Sequence, residues 1–182
     1  IYNAIDPAAF HPGLAKHRAE VRARHGIPAD ACVFLLVGSA YARKGVARVL
    51  EALASVPAPA HFVVVGRDRH PARYAALARR LGVAGRVTFA GPQADPKPYY
   101  GAADAFVLPT LYDPFPNAAL ESMACALPVV TSTKSGAAEL VVPRGAGFAC
   151  PAGSAPLLAQ EMRKLLDADA RARMGANARA VA

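Results

Sequence analysis

The chain has 182 residues, 54% hydrophobic and 19% charged, so it can bury a full core and does not read as disordered. Its apolar stretches are broken by Gly, Pro or Arg before they reach the roughly 18 residues that span a bilayer, which excludes a membrane-spanning helix. Lys and Arg total 21 against 13 Asp and Glu, and this net charge of +8 favours an anionic partner: nucleotide, nucleic acid, phospholipid or phosphorylated glycan.

The chain opens Ile1-Tyr2-Asn3-Ala4-Ile5-Asp6-Pro7. It has no basic run or initiator Met there, so it does not read as a signal peptide and is expected to be cut from a longer protein. Pro7, Pro12, Gly13 and Pro28 mark residues 1–31 as a lead-in linker from a preceding domain, with a helix around 15–25. Arg18, Arg22 and Arg24 on that helix, like Arg171, Arg173 and Arg179 near the end, read as a solvated face; contact with a membrane or another domain is the alternative.

Residues 32–38 (Cys-Val-Phe-Leu-Leu-Val-Gly) read as a strand buried on both faces. Val46, Val49, Leu50 and Leu53 recur at helical spacing over 46–56. A second strand is expected at 61–66, then a helix opened by Pro71 and stopped by Gly82. Strands at 86–91, 105–108, 128–131 and 147–150 alternate with helices at 98–103, 116–126 and 136–141. A helix at 154–166 with Ser154 as N-cap, and another from 169, complete the pattern. Alternation with near-continuous apolar strands predicts an α/β fold: a doubly wound, Rossmann-like parallel sheet of about six strands over residues 32–182. Ligands of such sheets bind at the carboxyl ends of the strands. The loops to inspect are therefore 39–44, 67–70, 91–97, 109–117 and 132–136.

Two of these loops carry chemistry. The first is Gly38-Ser39-Ala40-Tyr41-Ala42-Arg43-Lys44-Gly45. Two cations at a helix start have the wrong sign for the helix dipole unless an anion lies beside them, and two suggest a diphosphate. The loop is neither G-x-G-x-x-G nor a P-loop; exposed helix-start residues remain the plain alternative. The second is Asp113-Pro114-Phe115-Pro116-Asn117-Ala118-Ala119-Leu120-Glu121, which runs from a loop into a helix that Pro116 suits. Its two carboxylates can accept hydrogen bonds from sugar hydroxyls. An ordinary acidic helix start is the alternative.

These motifs, with Leu127-Pro128-Val129-Val130-Thr131 and Gly136-Ala137-Ala138-Glu139, resemble the donor-binding domain of GT-B retaining glycosyltransferases of family 4, the group 1 transferases. The Asp113/Glu121 pair resembles the family's E-x7-E motif. Tyr2-Asn3-Ala4-Ile5-Asp6 with Phe10 and Pro12 resembles the segment that leads into this domain. The nearest subgroup is the lipopolysaccharide core glucosyltransferase I type.

The resemblance implies the C-terminal half of a GT-B enzyme that moves a hexose, glucose in the nearest subgroup, from a nucleoside diphosphate sugar such as UDP-glucose. The acceptor would be a glycan or lipid-linked, such as lipopolysaccharide core, and held by an N-terminal domain of the same protein. Arg43 and Lys44 would hold the diphosphate, with Gly38 allowing close backbone approach. Asp113 would contact the donor sugar, helped by the backbone of Phe115, Pro116, Asn117 and Ala118. Glu121 would bind the ribose, and Arg86 and Val87 would lie beside the nucleobase. No metal or other cofactor is expected, and the enzyme would be cytoplasmic, peripheral to the inner face of the membrane. Asp113 departs from the family's Glu, and Phe115-Pro116-Asn117 from its usual F-G. A degenerate or regulatory nucleotide-binding module is the alternative function. A nucleic-acid binder lacks any recognised module.

The remaining signals read as structural. Asp167-Ala168-Asp169 is expected to be a solvated turn, Glu139 a helix-start carboxylate, and Tyr99-Tyr100 core. Cys32, Cys125 and Cys150 are expected to be buried thiols in a reducing compartment. The five His residues are not clustered.

Overall fold

The apolar runs become the strands of one parallel sheet. The computed structural model describes residues 4–182, so the Tyr2-Asn3 part of the lead-in motif lies outside the described residues. Strands β1 (Cys32–Val37), β2 (Ala60–Val65), β3 (Val87–Gly91), β4 (Ala105–Leu108), β5 (Val129–Ser132) and β6 (Gly147–Cys150) are ordered β3-β2-β1-β4-β5-β6. All five pairings are parallel. This is the order of a doubly wound nucleotide-binding sheet, and it reverses between β1 and β4.

Nine α-helices are described: α1 (Arg18–Arg24), α2 (Tyr41–Lys44), α3 (Val46–Ser55), α4 (Pro71–Arg80), α5 (Lys97–Ala102), α6 (Asn117–Ala124), α7 (Ala138–Val141), α8 (Ala155–Lys164) and α9 (Ala168–Val181). Helix α3 packs on α4 and α8; α1 packs on α5, and α6 on α9. Right-handed crossovers force this division, because connections running in opposite directions along the sheet fall on opposite faces. Burial follows: Phe34, Leu35, Leu36, Phe62, Val64, Phe106, Val107 and Leu108 are sealed between the two helical layers. Cys32, Cys125 and Cys150 are buried free thiols. Ser154 caps α8 by accepting from the Leu157 amide, and Asp167 caps α9 by accepting from Ala170 N at 2.8 Å. Among the described residues no helix is long and apolar enough to cross a membrane.

The lead-in segment corrects the sequence reading. Residues 12–31 belong to the domain rather than to a linker: Leu14, Val21 and Ile27 join the core. Arg22 is 4% exposed and donates to the carbonyls of Ala29, Ala31 and Ala102 and to Asp104 Oδ2, while Arg18 pairs with the other Asp104 oxygen. Arg22 is therefore not on a solvated face. The sequence hides this because the carboxylate that makes its burial tolerable is distant along the chain. Arg171 and Arg179 likewise donate to the Leu165 and Ala124 carbonyls, at the ends of α8 and α6.

His61 on β2 is buried, with Nε2 2.9 Å from Thr88 Oγ1 on β3. Burial, reinforced by Arg22 and Arg86, pushes its pKa down to about 4. An unfolded histidine binds its proton near the ordinary value of about 6.5. Between these values the unfolded chain holds the extra proton, so stability falls as pH drops through the window. Urea denaturation is expected to show a loss of about 2 kcal/mol from this group between pH 7 and pH 5. His61→Gln should remove that part of the pH dependence; identical pH profiles would refute the assignment.

Candidate functional site

The sheet order opens a crevice where β1 and β4 diverge, and the loops after these strands close over it. Gly38 ends β1, and its amide continues the ladder to Val65 O at 2.8 Å. A Cβ on Gly38 would stand 3.1 Å from Lys44 Cε, so the bare glycine leaves the channel through which the Lys44 side chain runs. Residues 41–44, expected as loop, form the one-turn helix α2, preceded by Ala40 at φ +60°. Gly45, at φ +81°, lies so close to Pro109 that a Cβ would overlap the Pro109 carbonyl.

The two loops are fastened by hydrogen bonds. Leu111 N and Thr110 Oγ1 both donate to Arg43 O, at 2.9 and 3.0 Å. The loop after β5 joins them: Ser132 Oγ donates to Thr110 O at 2.6 Å, and Gly136 N to Asp113 O at 3.0 Å.

At the junction stands an ion pair. Lys44 Nζ donates to Asp113 Oδ2 at 2.6 Å, and Arg43 Nη1 approaches the same oxygen at 3.2 Å. The Lys44 and Asp113 side chains are each 11% exposed, whereas Arg43 is 48% exposed. The structure therefore brings Gly38, Arg43, Lys44 and Asp113 together. Phe115, Pro116, Asn117 and Ala118 follow directly, Pro116 as the extended residue before α6 rather than in its first turn.

Glu121 lies one turn into α6 and faces α5. Its Oε2 accepts from Tyr100 Oη at 2.5 Å, and Tyr100 is wedged between Phe10 and Phe106. Burial, with the Glu121 charge beside it, pushes the Tyr100 pKa well above its usual value, so Tyr100 stays a donor. Sequence reasoning placed Tyr100 in the core, where it is, but missed the hydroxyl's partner. Helical spacing reports the buried face of a side chain and says nothing about its polar tip.

Arg86 and Val87 require a correction. They open β3 and so lie at the amino edge of the sheet, opposite the crevice. Arg86 donates to Val56 O and Leu53 O at 2.8 and 2.9 Å, which satisfies the end of α3. The β3 residues at the crevice edge are instead those at its other end. Pro92 and Gln93 line a cleft there with Gly38, Val65 and Gly66. Glu139 is exposed in the first turn of α7. Among the described residues no three His, Cys, Asp or Glu side chains gather as a metal site.

Residues 17–181 match the family model of glycosyl transferases group 1. This chain belongs to that family. The lipopolysaccharide core biosynthesis glycosyltransferase LpsE of Rhizobium meliloti is 37% identical over 124 residues, which cover 68% of this chain and 36% of LpsE. The lipopolysaccharide glucosyltransferase WaaG of Escherichia coli is 33% identical over 138 residues, 74% of this chain and 37% of WaaG. The crystal structure of Anabaena Alr3699/HepE in complex with UDP and glucose superposes with a TM-score of 0.90 at 27% identity, over 100% of this chain and 51% of that one. The matched stretch thus covers between about a third and a half of the length of these relatives.

A buried ion pair is vulnerable to loss of one partner. Asp113→Ala is expected to lower the unfolding free energy by about 3 kcal/mol, because it strands the Lys44 ammonium. Adding Lys44→Met should recover most of the loss. Chemical denaturation of the parent and three variants measures this; additive losses would mean that the two residues do not act as a pair.

Proposed function

We propose that this chain is the donor-binding half of a retaining glycosyltransferase that moves a hexose, glucose, from a UDP-sugar to a glycan or lipid-linked acceptor such as lipopolysaccharide core. The observation that carries the reading is the Arg43–Lys44–Asp113 cluster in the crevice where the strand order reverses, since that is where such sheets bind nucleotides. HepE crystallised with UDP and glucose, and the names of LpsE and WaaG, support the donor and the acceptor class. The acceptor would sit on an N-terminal domain of the longer protein, and the enzyme would work in the cytoplasm, at the inner face of the membrane.

In this reading Arg43 and Lys44 bind the diphosphate and stabilise the charge that grows on it as the glycosidic bond breaks. Preorganised cations act most strongly in such a desolvated crevice. The site needs no metal for this. Asp113 holds Lys44 in place in the free enzyme and turns to the donor sugar once the diphosphate takes over the cations. Glu121, oriented by Tyr100, accepts from the ribose hydroxyls through its second oxygen. The nucleobase enters the cleft beside Pro92 and Gln93.

Two measurements test this. In the two-domain enzyme, Lys44→Ala is expected to reduce kcat by an amount worth about 2–4 kcal/mol, more than it weakens donor binding. Near-parent turnover would remove the phosphate role. In calorimetry on the chain itself, Glu121→Ala should weaken UDP binding roughly tenfold or more, since a charge-assisted hydrogen bond is worth about 1.5–3 kcal/mol. Asp113→Asn should bind UDP at least as tightly as the parent, because a competing carboxylate has gone. If Asp113→Asn and Glu121→Ala weakened UDP equally, the division of labour between the carboxylates would be wrong.

A further inference from the structure

A second concavity, of about 670 Å³, lies beside the ion pair, between the loops after β1 and β2; Ser39, Arg43, Arg67, Arg69, His70 and Arg73 line it. Four guanidinium groups thus border one hollow. Asp68, the one carboxylate among its lining residues, is spent on the backbone: Oδ2 accepts from Tyr41 N and Oδ1 from His70 N, both at 2.8 Å. Arg43 leans towards Asp113, and Arg73 stacks on Tyr74, its carbon Cζ 4.6 Å from the ring centre. The Arg67 and Arg69 side chains have no ion pair and no hydrogen bond among the described residues, and both are exposed. The hollow therefore carries an excess of positive charge that Asp68 and, through Arg43, Asp113 offset only in part.

Its walls are fixed. Ala40 N donates to Arg67 O at 3.1 Å, and Tyr41 Oη to Gly66 O at 2.8 Å, so the two loops are tied at three points once Asp68 is counted. Planar guanidinium forks on fixed walls suit the oxygens of a phosphate, which they can hold in pairs of parallel hydrogen bonds. The shape disfavours a lipid surface. A bilayer rests on a flat or convex face and rewards apolar insertion, yet the exposed large apolar side chains Leu111, Tyr112, Val142 and Leu157 all lie outside this lining.

We infer that this hollow is a second phosphate site that takes a phosphomonoester carried by a sugar: the phosphate of a phosphorylated acceptor. The inference rests on the donor reading above, because Arg43, Ser39 and Arg67 border both the hollow and the proposed donor crevice and set the acceptor phosphate next to the donor diphosphate. The donor domain then takes part in choosing the acceptor.

The test is calorimetry on the chain saturated with UDP, with glucose 6-phosphate as the probe, glucose as the uncharged control and phosphatidylglycerol vesicles as the lipid arm. Glucose 6-phosphate is expected to bind alongside UDP, and glucose is not. Arg69→Gln/Arg73→Gln should weaken the sugar phosphate about tenfold or more and leave UDP affinity within about twofold. Higher salt should weaken the sugar phosphate further. Absence of sugar-phosphate binding, displacement of UDP by it, or an unchanged affinity in the double variant would overturn the proposal. So would vesicle binding that the sugar phosphate does not compete with, since the hollow would then be a lipid contact. A parent chain that binds no UDP would remove the donor reading alone, and the same titration without UDP would still decide the second site.

Discussion

The ion pair between Lys44 and Asp113 joins the two halves of the sheet where they part. Parallel order makes β1 and β4 neighbours but sends their following helices to opposite faces, which leaves an open seam at their carboxyl ends. Everything around the seam allows one lysine to cross it. Gly38 clears its path, Gly45 lets the chain approach Pro109, and hydrogen bonds to Arg43 O hold the loops in register. Burying an ammonium and a carboxylate together contributes little net stability compared with an apolar pair. Under the donor-site proposal, the carboxylate would hold the cation in position until a stronger anion arrives.

Two groups of arginines stand out among the basic residues. One is architectural. Arg22 gathers the carbonyls of two segments, Arg86 closes the end of α3, and Arg171 and Arg179 do the same for α8 and α6. These guanidiniums replace water at helix ends and loop crossings, a task suited to five donors in a rigid fork. The other group, Arg43, Arg67, Arg69 and Arg73, stands at the carboxyl edge, where Arg43 also donates to the Tyr112 carbonyl and the other three guanidiniums have no carbonyl partner among the described residues. The net charge of the chain alone would not distinguish them.

The strands and their order of alternation were legible because a sheet covered on both faces demands unbroken apolar runs, and 105–108 and 147–150 match β4 and β6 to the residue. The cationic loop stands out in the sequence as wrong-sign charge at a helix start, but Arg43 and Lys44 stand in the last turn of α2, where cations suit the dipole; what marks the loop in the structure is the pairing of Lys44 with Asp113. What the sequence could not show depends on partners distant along the chain. Arg22 looked like a surface residue until Asp104 was beside it. The family resemblance put Arg86 and Val87 beside the nucleobase, whereas only the carboxyl end of a parallel strand reaches the crevice. The link from Tyr100 to Glu121 needed the crossover from β3 to β4, which sets α5 against α6.

Arg179 on α9 donates to the carbonyls of both Ala124 and Phe10, and Phe10 meets the ring of Tyr100 edge-on at 5.5 Å. Ala4, Ile5, Val181 and Ala182 also border one shallow hollow with Phe115 and Leu120. Residues 4–10 and helix α9 are thus moored together at α6, the helix that carries Glu121. Tension on either end of this segment would be borne by α6 and the loop before it, with the strands left as a rigid bed. A nucleotide resting on α6 would feel such a pull directly, which makes the mooring a mechanical joint between the chain's ends and its binding crevice.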